Sequence, residues 1–85
     1  GSAPKYERLS PSIVNPIAMI LSACMMLDHL KETDKAGRIR RAVAAVVAEG
    51  KVRTYDMLKM TGGPNAIAQG AATTQQMTDA ILARM

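Results

Sequence analysis

Apolar positions in this 85-residue chain fall into two helical stretches, an unpatterned middle and a third helical stretch. Asn15-Pro16 opens the first. An Asn side chain accepts the orphan N–H groups of a helix start, and Pro tolerates the first helical position, where its missing N–H would go unpaired anyway. From Ile17 to Leu30 the residues are apolar nearly all round, interrupted by Ser22, Asp28 and His29. A helix apolar on most faces is expected to be buried on most faces, which makes this the expected central element. The next cap is expected at Thr33 or Asp34. Ile39, Val43, Val46 and Val47 then recur at i, i+4, i+7 and i+8 as one apolar stripe, with Arg38 and Arg41 on another face. Gly50 suits the left-handed position just beyond a helix end, so a second helix is predicted from Lys35 to Glu49, antiparallel to the first.

The middle is less regular. Val52, Tyr55 and Met57 fit either a short extended piece or the start of an irregular turn. Thr61-Gly62-Gly63-Pro64-Asn65 is a break, and residues 66–72 read as a small-residue connector. Thr73 with Gln76 has capping-box spacing, and Met77, Ala80, Ile81 and Met85 form the apolar face of a last helix. Residues 1–14, punctuated by Pro4, Ser10, Pro11 and Ser12, hold no alternation long enough for a strand. The predicted fold class is all-α, with about three helices and a long N-terminal loop in one small domain over 1–85. Its parts are a loop over 1–14, two helices over 15–50, a loop region over 51–72 and a terminal helix over 73–85.

Composition sharpens this picture in one respect. Hydrophobic residues are 48% and charged residues 21%, values of a globular chain, yet there is no Phe, no Trp and only 2 Tyr beside 7 Met. Aromatics let small domains bury large areas with few residues. Their scarcity predicts either a thin core or a partner surface that completes it. The net charge of +4 divides as +3 over 1–42 and +1 over 43–85. Without a basic half or interleaved aromatics, no nucleic-acid partner is expected. The longest apolar stretch, Ile17 to Leu27, is too short to span a bilayer and follows no basic leader, so no membrane partner is expected either. The single Cys24 excludes a disulfide framework and zinc-finger spacing; a buried inert thiol and a reduced, cytoplasmic setting are the expectation.

No catalytic set assembles from these residues alone. His29 has no second histidine for metal pairing, and Asp28, Asp34, Asp56 and Asp79 share no helix face. Arg38, Arg40 and Arg41 read as a solvated basic face. The opening Gly1-Ser2-Ala3-Pro4-Lys5-Tyr6 is more informative: small residues let a backbone approach a ligand closely, and a cation and a ring follow.

That hexapeptide, then Asn15-Pro16, Ile20-Leu21-Ser22-Ala23, Met25-Met26-Leu27, Gly50-Lys51, Thr54-Tyr55-Asp56 and the terminal Asp79-Ala80-Ile81, resembles the C-terminal part of the isocitrate and isopropylmalate dehydrogenase family. The order is kept over essentially the whole chain. The resemblance implies the helical end of an α/β dehydrogenase large domain and a dinucleotide site closest to that of the NADP-dependent isocitrate enzymes. Gly1, Ser2, Ala3 and Pro4 correspond to the loop that wraps the adenosine, and Asn15 to the adenine contact. Lys5, Tyr6, Tyr55 and Lys59, the last standing for an Arg, correspond to the grip on the 2′-phosphate. A 2′-phosphate attracts cations and hydroxyl donors, whereas an NAD-selective site places a carboxylate on the ribose diol, so Lys5 implies NADP.

The sequence also departs from the family. Glu7-Arg8 replaces a small-Gly step, the Tyr6-to-Asn15 loop is longer, and residues 61–72 look inserted. The resemblance places the substrate arginines, the catalytic Tyr and Lys and the aspartates for Mg²⁺ or Mn²⁺ outside these residues, so no catalytic and no metal residue is assigned here.

Three readings follow. The first is a C-terminal segment of an NADP-dependent isocitrate dehydrogenase-like oxidoreductase that supplies part of the cofactor site and is inactive alone. The second is a free-standing helical interaction or structural module derived from it, and the third a fragment of an isopropylmalate- or tartrate-type dehydrogenase. The expected partner is a second copy of the chain, covering the first helix, or the N-terminal part of a dehydrogenase.

Overall fold

The computed structural model describes residues 12–63 and 65–85. Three helices account for the regular structure among them: α1 (Ile17–His29), α2 (Thr33–Glu49) and α3 (Thr74–Ala83), with no strand. The fold class is therefore all-α, as the pattern predicts. The segment holding Gly1 to Tyr6 lies outside the described residues.

Local chemistry sets most helix ends. The Asn15 side-chain oxygen accepts the Ile17 N–H at 2.9 Å, and Pro16 opens the first turn, its carbonyl accepting from Ile20 at 3.0 Å. At the other end, Glu32 N–H reaches the Leu27 carbonyl at 2.7 Å and Lys31 N–H reaches Asp28 at 2.9 Å. This is a Schellman closure, with Lys31 at φ 65° in the left-handed position usually given to Gly or Asn. The chain turns back within three residues, and α1 and α2 form a helical hairpin tied by the Asp28–Arg40 ion pair at 2.6 Å. Helix α2 starts earlier than predicted. Its N-cap is Glu32 without a side-chain cap bond, so neither Thr33 nor Asp34 caps it. Gly50 ends it at φ 68°, where a side chain would be strained. Thr73 and Gln76 complete both halves of the capping box of α3.

The core corrects the expected ranking of the helices. Ala42, Val43 and Val46 of α2 and Met77 and Ile81 of α3 form the buried cluster, against which Ile17 and Ile20 of α1 pack at half burial. So α2 is central, and α1 lies outside it. Among the residues of α1 only Cys24 is buried, whereas Met19 is 80% exposed and Met25 and Met26 exceed 60%, as does Leu30 just beyond the helix. The reason is geometric. Two neighbouring helices with narrow stripes of Ala, Val and Met contact only one side of a helix that is apolar on every side. Within the α2 stripe, Ala36 and Ala42 replace Val47 as core residues, and Met85 is 46% exposed at the end of α3. A thin core is what a chain poor in aromatics produces.

The region over 51–72 is neither a strand nor an open loop. The 54–60 segment makes a single helical turn, with Leu58 N–H on Thr54 and Met60 N–H on Tyr55, and Lys59 closes it at φ 59°. The 65–71 segment repeats the device, with Ala71 N–H on Ala66 and Gly70 at φ 101°. Ala66, Ala71 and Ala72 are buried, and Ala72 N–H joins the two turns by bonding Arg53 at 2.7 Å. Small side chains there permit close packing of backbone.

Candidate functional site

The sequence-predicted site residues within the described part are Asn15, Tyr55 and Lys59. Two are on the 54–60 turn. The third is drawn to it from the opposite end of the chain: Asn15 Nδ2 donates to Asp56 Oδ2 at 3.0 Å across 41 positions. Asp56 is in turn held by the Thr54 hydroxyl, which donates to its other oxygen, and Thr54 is fully buried. Burial pushes the Asp56 carboxyl up, but the hydrogen bonds from Thr54, Asn15 and the N–H groups of Asp56 and Met57 outweigh it and leave its pKa below the ordinary value.

The Asn15 amide is thus engaged at both ends. Its oxygen accepts the Ile17 N–H in the first turn of α1, whose N-cap is Pro16 and not Asn15, and one N–H holds Asp56; among the described residues the second N–H has no partner. Just before it, the Thr74 hydroxyl donates to the Val14 carbonyl and lies 3.0 Å from the Ser12 hydroxyl. The Thr74 N–H donates to the Ser12 carbonyl at 2.9 Å. The stem of the N-terminal segment is therefore fastened to the start of α3 and to the 54–60 turn.

Tyr55 is half-buried beside Gly62, where an added Cβ would fall 2.8 Å from the ring. A side chain at position 62 would require the Tyr55 ring to shift. Lys59 is exposed and has no ion-pair partner among the described residues. An amide N–H, a phenol and an ammonium are donors suited to a purine edge and a phosphate, so the chemistry fits the adenosine end of a dinucleotide. Gly1, Ser2, Ala3, Pro4, Lys5 and Tyr6, six of the nine implied site residues, lie outside the described residues. A separate cleft of about 420 Å³ is bordered by Lys51, Arg53, Ile67 and Gln76 and includes none of Asn15, Tyr55 and Lys59.

Asp56 and Thr54 carry more of this arrangement than the sequence pattern alone suggests. Only the Thr-x-Asp spacing hints that the hydroxyl and the carboxylate bond one another; the link to Asn15 is tertiary. No group of three or more His, Cys, Asp and Glu side chains is arranged to hold a metal among the described residues.

The comparisons agree with the resemblance at the level of the family and do not separate NADP from NAD. Regulatory subunit 1 of the mitochondrial NAD isocitrate dehydrogenase of Arabidopsis thaliana is 36% identical over 85 residues, 100% of this chain and 20% of that protein. The NADP isocitrate dehydrogenase of Thermus thermophilus is 38% identical over 82 residues, 96% of this chain and 14% of that protein. Subunit 1 of the mitochondrial NAD enzyme of Schizosaccharomyces pombe is 44% identical over 71 residues, 84% of this chain and 17% of that protein. The chain thus spans a fifth or less of the length of these curated relatives, whose names include both NAD and NADP. No solved structure matches it significantly. The family model for isocitrate/isopropylmalate dehydrogenase matches residues 1–81, and the chain belongs to that family.

Proposed function

We propose that this segment supplies the adenosine and 2′-phosphate part of the cofactor site in an NADP-dependent isocitrate dehydrogenase-like oxidoreductase, and that it is not catalytic alone. The observation that carries the reading is the Asn15–Asp56 hydrogen bond, which joins the implied adenine contact to the turn bearing Tyr55 and Lys59. Asn15 offers its second N–H to the adenine edge; Tyr55 and Lys59 offer a hydroxyl and a positive charge to the 2′-phosphate, to which the resemblance adds Lys5 and Tyr6. Asp56, a neighbouring carboxylate, has both oxygens engaged by Asn15 and Thr54, which favours a phosphate over a bare ribose diol. When bound, NADP accepts the hydride from C2 of the hydroxyacid. The Mg²⁺ or Mn²⁺ implied by the resemblance finds no ligand set among the described residues, and its ligands belong to other parts of such an enzyme.

Titration of the chain with NADPH and NADH, followed by amide NMR, tests the reading. Binding is expected to be weak, because an incomplete pocket must be ordered by the ligand, and to favour NADPH. Lys5→Asp should abolish the preference. Equal affinities in the parent chain would refute the assignment of Lys5, Tyr6, Tyr55 and Lys59. With isocitrate, Mg²⁺ and NADP, the purified chain should reduce no cofactor.

The exposed Met19, Met25, Met26 and Leu30 support a companion reading, in which further protein covers α1. A contiguous apolar surface of several hundred Å² is rarely left bare. A second copy of the chain or the remaining part of a dehydrogenase would serve. Sedimentation at micromolar concentration should therefore show an oligomer of the isolated chain; a stable monomer would refute self-association.

A further inference from the structure

Asp56 is not among the residues implied to touch the cofactor, yet it organises those that are. It accepts from Asn15 at 3.0 Å and from Thr54, a fully buried residue whose backbone carbonyl anchors the 54–60 turn by accepting Leu58 N–H at 3.2 Å. A free Asn side chain can rotate about its side-chain bonds and flip its amide. Here the Ile17 N–H specifies which end is the oxygen, and the Asp56 carboxylate specifies where one N–H points. With both settled, the remaining N–H has a single direction. Thr74 removes the other freedom by fastening the backbone at Ser12 and Val14, immediately before Asn15.

We infer that Asp56 is a positioning residue of the cofactor site: acting through Asn15, it presents one amide N–H to the adenine edge and holds the 2′-phosphate turn in register with it. The inference rests on the cofactor reading above and adds to it a residue that makes no ligand contact of its own. Preorganised donors bind better than mobile ones because less freedom is lost on binding. Asp56→Ala frees the Asn15 amide without changing any group that meets the ligand, and Asp56→Asn keeps an acceptor oxygen but loses the charge that strengthens both bonds.

The test is a double-mutant cycle on the full chain, with adenosine 2′,5′-bisphosphate as the probe and side-chain amide NMR as the readout. Asp56→Ala is expected to weaken the probe about tenfold and to shift the Asn15 side-chain amide resonances; Asp56→Asn should lie between it and the parent. Asn15→Ala should also weaken binding about tenfold, and the Asp56→Ala/Asn15→Ala double variant should be no weaker than either single variant, since both remove the same interaction. Independent, multiplying effects would overturn the positioning role while leaving the cofactor reading intact. So would a loss of thermal stability in Asp56→Ala with unchanged affinity well below its melting temperature. Failure of the parent chain to bind the probe at millimolar concentration would instead refute the cofactor reading, and the inference with it.

Discussion

Met77 is the side chain on which the seam between α2 and α3 depends. It lies in the first turn of α3, has 0% exposure and meets Ala42, Val43, Val46 and Ile81 in a buried cluster that joins α2 and α3. Met77→Ala removes three heavy atoms beyond Cβ. At roughly 0.8 kcal/mol per buried methylene-sized group, the lost transfer term is about 2 kcal/mol. A cavity on the order of 50 Å³ adds about 1 kcal/mol at ~24 cal/mol per Å³. The total, about 3 kcal/mol, is within the 2–5 kcal/mol range typical of such truncations. It is a large share of the ~4–13 kcal/mol expected for a domain of this length. Thermal melts by far-UV circular dichroism, at matched protein concentration, should show a midpoint lower by about 12–24 °C. Met19→Ala provides the internal contrast. Met19 is 80% exposed, so the same chemical change in the isolated chain should move stability by no more than ~0.5 kcal/mol. If Met77→Ala lost less than ~1 kcal/mol, or if Met19→Ala lost as much, the assignment of the core to α2 and α3 would be wrong.

Other perturbations probe the turns. Lys31→Gly should raise stability by about 0.5–1 kcal/mol in the same melts, because Lys31 occupies a left-handed conformation that glycine enters without a Cβ clash. Lys59→Gly should stabilise similarly but weaken NADPH binding, so that stability and affinity move in opposite directions; a parallel change would remove the case for its ammonium as a phosphate ligand. Gly62→Ala should destabilise by ~1–2 kcal/mol and shift the Tyr55 ring resonances, since the new methyl would stand 2.8 Å from a ring carbon. The Asp56 carboxyl is held below its ordinary pKa, so its contribution to stability is present above the unfolded-state value and is lost as pH falls through the lower, folded value. Asp56→Asn should flatten that acid limb in a pH series of melts, and an unchanged limb would show that other carboxylates produce it.

The parts of the fold visible in the sequence are those decided within about one helical turn. Asn15-Pro16, the Thr73/Gln76 capping box and Gly50 each act on backbone groups a few residues away, so the residue types are enough to place the helix ends. The family resemblance likewise rests on residues in order along the chain. Tertiary structure decided what depends on distant neighbours. Ile17, Met19, Ile20 and Met26 are equally apolar, yet α2 and α3 reach only one side of α1, and Met19 and Met26 stay exposed. Lys31 and Lys59 take left-handed conformations because the closing hydrogen bonds on Leu27 and Tyr55 require the chain to reverse there, against the local preference of lysine. Burial of Thr54, Ala66, Ala71 and Ala72 follows from the two short turns packing through the Arg53–Ala72 bond, which no local period announces. The Asn15–Asp56 pairing bridges 41 positions. Two polar residues so far apart carry no mutual signal in a single sequence; only the closure of the helices brings amide and carboxylate within hydrogen-bonding distance.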